Sequence, residues 1–172
     1  MPGCTITCAF TLKVITLKIV ELTDAHDSSL RALLISENWH THAASLIDDR
    51  HRPWERIYVA LLDGEVVGFV EGTFSDMSAF PSGEFPPPRA RIMNLLVSSA
   101  HRRNGTGSKL VQRFAADAQA MYLDSLVLFP DPREPEERMA FFADCGLRPV
   151  VGSELLGASL ESIRTALTEP AM

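Results

Sequence analysis

Apolar and polar positions change their period several times along the 172-residue chain, and each change marks an element. Val14–Glu21 is rich in β-branched residues and reads as a strand. Thr23 or Asp24 then offers an N-cap to a helix carrying Leu30, Leu33 and Leu34 on one face. The segments Ile57–Leu62 and Val66–Phe74 flank Asp63-Gly64, a dipeptide that accepts the positive φ angles of a two-residue hairpin turn, so two antiparallel strands follow. Ala90–Val97 is another apolar strand. From Gly107 to Tyr122, Leu110, Phe114, Ala118 and Met121 recur at helical spacing. Ser125–Phe129 predicts a short buried strand. Pro135 opens a helix with Glu136 and Glu137 in its first turn, where acids favour the helix dipole, and Gly146 closes it as a C′ residue. A short apolar run near Val150–Val151 and a last helix over Ser159–Leu167 complete the pattern.

Composition narrows what this string of elements can be. Hydrophobic residues make up 46% and charged residues 22%, an ordinary globular balance with no stretch apolar enough to cross a bilayer, so no membrane association is expected. The length fits a single domain over residues 14–172. Residues 1–13 lack the basic start and small-residue cleavage pattern of a secretory signal and read as a flexible extension. Three cysteines, Cys4, Cys8 and Cys145, are odd in number and have no histidines at zinc-ligand spacing, which points to a reduced, cytoplasmic protein without metal. The formal net charge of −6 argues against nucleic acid as a partner, because duplex binding draws on basic groups neutralising phosphates.

Two segments stand out from this background. Ser75–Pro88 is rich in Pro, Ser and Gly and reads as a long loop, a kind of segment that is often functional. Val97-Ser98-Ser99-Ala100-His101-Arg102-Arg103-Asn104-Gly105-Thr106-Gly107-Ser108 joins a strand to a helix through two closely spaced glycines, which let the backbone turn tightly and approach a bound group. Free N–H groups at a helix start, the helix dipole and two upstream arginines suit a diphosphate. The segment lacks the Gly-Lys-Ser/Thr of a nucleotide-hydrolysing P-loop, and no glycine stands three residues past Gly107 to complete a dinucleotide fingerprint. The alternative is that the glycines only make a surface turn.

The element Arg102-Arg103-Asn104-Gly105-Thr106-Gly107, preceded by the strand-ending Leu95-Leu96-Val97, resembles the Arg-x-x-Gly-x-Gly element of GNAT-superfamily N-acetyltransferases. Phe141-Phe142 followed by Ala143 to Pro149 resembles that family's helix ending in a Gly-Phe type step. The resemblance covers roughly residues 14–157. It implies an α/β (α+β) GNAT fold, a mixed central sheet of about six to seven strands flanked by about four helices. It also implies an enzyme that uses acetyl-CoA as cosubstrate to acylate an amine of a small molecule or a protein. By the same resemblance Leu95, Leu96 and Val97 pair with the pantetheine arm. The loop Arg102, Arg103, Asn104, Gly105, Thr106, Gly107 and Ser108 holds the pyrophosphate. Related folds frequently dimerise, which leaves a homodimer open.

Amide formation from a thioester needs a base to free the amine and an acid for the departing thiolate. Where family members often carry a glutamate on the strand before the loop, this chain has Met93, with Asn94 beside it. Where many carry a tyrosine donor it has Phe142, and Pro135 and Arg138 replace the asparagine and alanine often found earlier in that helix. Glu71, sharing a face with Phe69 and Thr73, is the remaining candidate base, the alternative being a solvated carboxylate near a sheet end. Asn94 could orient the substrate or a proton-relaying water. The catalytic candidates are therefore Glu71 and Asn94. Cys145, beside a helix-ending glycine, reads as a small buried apolar group. In Trp39-His40-Thr41-His42, with His51 and Trp54 beyond, the first two histidines diverge on a helix, which suits a substrate wall better than a metal. A chain that keeps acyl-CoA but has lost turnover is the alternative to an active enzyme.

Overall fold

The computed structural model describes residues 16–41, 46–47, 54–81, 83–131, 133 and 135–168. The N-terminal extension, Cys4, Cys8, His42, His51 and the start of the expected first strand lie outside them. Seven strands form one sheet: β1 (Leu17–Glu21), β2 (Glu55–Leu62), β3 (Glu65–Asp76), β4 (Arg89–Val97), β5 (Ser125–Leu128), β6 (Arg148–Pro149) and β7 (Leu156–Ser159). Their order is β1-β2-β3-β4-β5-β7-β6, and only β4 and β5 run parallel, so the sheet is mixed as expected. Among the described residues the longer helices are α1 (Asp27–Ser36), α2 (Thr106–Ala120), α3 (Pro135–Asp144) and α4 (Leu160–Thr168).

The local signals act as their chemistry dictates. Leu62 pairs with Glu65 across Asp63-Gly64, whose φ angles of 52° and 88° are those of a tight hairpin turn. Thr23 caps a 3-10 turn over Asp24–His26 that runs into α1. Gly146, at φ 85°, ends α3 while its N–H donates to Ala143 and that of Leu147 donates to Phe142, satisfying carbonyls the helix leaves open.

The apolar run at Val150–Val151 lies in the turn that returns the chain to β7, with Val150 buried and Val151 exposed. There, Ser153 N–H donates to the Val150 carbonyl and Gly152 takes φ 75°. Met121 is exposed rather than packed, because α2 ends at Ala120 and Tyr122, at φ 61°, carries the chain away from the core.

Each sheet face buries its own apolar layer. On one, Leu110, Phe114 and Ala118 of α2, Phe142 of α3 and Ile163 of α4 pack on Val70, Ala90, Ile92, Leu126 and Leu128. On the other, Leu30, Leu33 and Leu34 of α1 join Trp39, Val59, Phe69 and Leu96. The Ser75–Pro88 loop is pinned at both ends. Phe85 seats against Val127, Val150 and Leu155, and Arg89, fully buried, donates from Nε to Asp76 (2.8 Å), from Nη1 to the Phe85 carbonyl (2.9 Å) and from Nη2 to the Ser78 carbonyl (3.1 Å). Burial alone would raise the Asp76 pKa, but hydrogen bonds from Ser78 and Arg89 outweigh it and hold the carboxyl below its usual range.

Candidate active site

The site begins where the sheet comes apart. β4 pairs with β5 only through Ala90, Ile92 and the residue between them, so the rest of β4, from Met93 to Val97, has no partner on that side. The pairing of β4 with β3 continues to Val97, which leaves an opening within the sheet rather than at its rim. One residue of β4, Met93, is extra: Glu71 faces Asn94 and Gly72 faces Ile92, so the strand bulges between them. The bulge brings successive residues toward the opening. Its walls are Ile92 to Leu95, Leu128, Phe129 and Asp131, with Trp39 from one face of the sheet and Arg138 and Phe142 from the other.

At the far end of β4 the chain makes a 3-10 turn over Ser99–His101 and enters α2. Gly105 is the N-cap at φ 75°, a left-handed conformation that side chains resist, and a Cβ there would meet only open space. The first intrahelical bond is from Lys109 N–H to the Gly105 carbonyl, so the amides of Thr106, Gly107 and Ser108 precede it and face out of the helix end. Arg102 to Gly105 are exposed and Thr106 is buried. What this helix start offers a ligand is backbone.

Gly107 has a different reason to be glycine. A Cβ there would stand 3.1 Å from the Phe141 ring, so the residue is small because α3 packs against it. Its substitution would disturb that packing before it reached any ligand. The two arginines carry partners of their own: Arg102 lies 3.5 Å from Glu37 and donates to the Val97 carbonyl, and Arg103 meets Glu137 of α3 at 2.7 Å. Glu37 also accepts from the Ser99 amide and hydroxyl, tying the end of α1 to the loop.

Glu71 and Asn94 are brought together. They are register partners on β3 and β4, and Asn94 Nδ2 donates to Glu71 Oε2 at 2.5 Å. Glu71 is buried and Asn94 stands in the cleft wall, so the carboxylate reaches the opening through the amide. Phe142 is buried in the opposite wall and Met93 is partly exposed. Cys145 is buried, and burial pushes its thiol up to about 12, well above a nucleophile's range. His40 and Thr41 are helical, and the histidine is exposed while Trp39 is buried. Among the described residues no three His, Cys, Asp or Glu side chains are placed to hold a metal ion, and no helix is long and apolar enough to cross a membrane.

Sequence reasoning passed over Asp131. Arg133 grips it with two nitrogens and its own amide, which, more than burial opposes it, holds the carboxyl down at about 2. The Arg133 guanidinium lies 5.2 Å from the centre of the Trp39 ring, so this short loop spans the cleft from β5 to the end of α1. An Asp-Pro-Arg run in a loop after a strand was the available signal, but nothing local shows that it folds toward the cleft.

Comparison with known proteins decides the family: residues 20–147 match the acetyltransferase (GNAT) family. This chain is a GNAT-family acetyltransferase. Solved structures share its fold. One is a GNAT-family N-acetyltransferase (YhbS) from Escherichia coli in complex with CoA, 21% identical over 91% of this chain and 87% of that one, TM-score 0.60. A second is AtaTR bound with AcCoA, 21% identical over 88% and 98%, TM-score 0.65. A third is the aminoglycoside N-acetyltransferase AAC(6')-Iy in complex with CoA, 14% identical over 77% and 88%, TM-score 0.65. Comparison with curated proteins finds no match.

Proposed function

We propose that this GNAT acetyltransferase transfers an acetyl group from acetyl-CoA to the amine of a small molecule or protein, with the split between β4 and β5 as its reaction cleft. The observation that carries this reading is the unpaired edge of β4 from Met93 to Val97 leading directly into an open helix start. The residues fit the cosubstrate. A diphosphate is met by the amides of Thr106, Gly107 and Ser108 at the positive end of the α2 dipole, and the exposed Arg102 to Gly105 turn leaves room for it. Leu95, Leu96 and Val97 present backbone N–H and C=O groups to the amide-bearing arm that follows.

Acetyl-CoA, when bound, supplies the activated acyl group. Asn94 holds the acceptor or a water molecule at the cleft wall, and Glu71 behind it takes the proton the amine releases. Arg102 and Arg103 add positive charge beside the loop, while Glu37 and Glu137 fix where that charge sits. A cytoplasmic protein acting alone or as a homodimer suits the reading equally.

Calorimetric titration of acetyl-CoA into the purified protein, followed by a panel of amines with thiol release as readout, tests it. Binding with release supports transfer; absence of binding overturns the cleft assignment. A second reading is favoured by Phe142, which has no hydroxyl to give a leaving thiolate. In it the chain binds acyl-CoA without turnover, and the same titration would show binding with no thiol released by any amine.

A further inference from the structure

The absence of a tyrosine hydroxyl from the cleft leaves open how this chain handles the sulfur that departs. One turn before Phe142, on the same face of α3, stands Arg138. It lines the cleft together with Asn94, Leu95 and Phe142, and its Nε is buried without a hydrogen-bond partner. Such an N–H is rare, because burial strips it of water without giving it another acceptor. The nearest acid in the cleft wall does not satisfy it: Asp131 is held by Arg133, and among the described residues no carboxylate lies within ion-pair distance of Arg138. The cleft wall therefore carries a cation that Asp131 feels through space but whose buried Nε–H has no hydrogen-bond partner among the described residues.

Resting on the acetyl-transfer reading above, we propose that Arg138 is the catalytic residue that stabilises the departing thiolate of CoA, in place of a proton donor. As the amine nitrogen forms its bond to the acyl carbon, the carbon–sulfur bond breaks and sulfur leaves with the bonding pair. The amine gives up its proton through a water held by Asn94 to Glu71, which returns it to solvent. A guanidinium cannot supply a proton at working pH, but it donates hydrogen bonds to an anion and so lets sulfur leave charged. Sulfur then takes a proton from solvent after release. Phe142, buried against the same opening, keeps water from the anion and strengthens the charge–charge attraction. An arginine suits this better than a lysine, because it keeps its charge when desolvated.

The measurement is the acidity of bound CoA. Free CoA, the thiol product, is titrated into the full-length protein across a pH series by calorimetry, with ultraviolet absorbance following thiolate formation. In the wild type the bound thiol should ionise about one to two pH units below an ordinary thiol, whose value is about 8.5. In Arg138→Gln it should ionise at or above the ordinary value, with acetyl-CoA affinity changed less than roughly threefold and kcat lowered roughly 10²-fold at constant KM. Arg138→Lys should recover part of both effects. Arg138→Met, which fills the same volume, serves if the glutamine variant does not fold, and should match it. CoA binding with the same thiol acidity in wild type and variant overturns this proposal alone. Failure of the wild type to bind CoA overturns it together with the reading on which it rests.

Discussion

Arg89 and Arg138 are both arginines turned into the protein, and they differ in one respect that separates architecture from chemistry. Every nitrogen of Arg89 has a partner within the chain, and the residue locks the long loop to the start of β4. Arg138 keeps a buried donor idle in the wall of the cleft. A satisfied buried charge reports on the fold, whereas an unsatisfied one reports on what the fold is built to meet.

Removing each side chain should expose the contrast. Arg89→Ala takes from the buried Asp76 its main partner, leaving only Ser78 and the more distant Arg91, so it should cost about 3 kcal/mol in denaturant unfolding, the largest effect expected. Gly105→Ala forces a Cβ into the left-handed region and should cost about 1 kcal/mol while weakening acetyl-CoA binding. Arg138→Met should be neutral or stabilising by up to about 1 kcal/mol, since it removes an unpaired buried donor, even as it damages turnover. A rank order in which Arg138→Met destabilises as much as Arg89→Ala would break the comparison.

Two smaller effects sharpen it. The fold favours ionised Asp131, whose pKa is lowered from 3.8 to about 2, so its contribution to stability is present above pH 3.8 and lost as pH falls toward 2. Asp131→Asn should therefore lower stability at neutral pH by that contribution and flatten the acid limb of the stability profile between pH 3.8 and about 2. At Cys145, alkylation followed by peptide mapping at mildly alkaline pH should be far slower than for a free thiol, because burial suppresses the thiolate.

Much of the fold was legible because its signals are local. Asp63-Gly64 names its own turn, Pro135 and Gly146 bracket α3, and the spacing of Leu110, Phe114 and Ala118 tells which face of α2 is inside. Errors came where a neighbour distant in sequence decides. Nothing near Gly107 shows that Phe141 needs its space. The turn from Arg102 to Ser108 could be placed from residue types, since its glycines mark a helix start. Glu71 and Asn94 were read only as two separate candidates. The hydrogen bond that joins Glu71 to Asn94 depends on strand register and a bulge, which a sequence does not print.

The short pairing between β4 and β5 carries one more consequence. A strand with a bare hydrogen-bonding edge is ordinarily an invitation to another chain, and proteins blunt such edges with charge, proline or distortion. Here the bare edge of β4 lies inside the sheet, hemmed by β5 and crowned by the Asp131–Arg133 loop against Trp39. A second protein's strand, which must come with its own neighbours alongside, is kept from docking there. Protection from edge-to-edge aggregation thus rests on a seam three residues long.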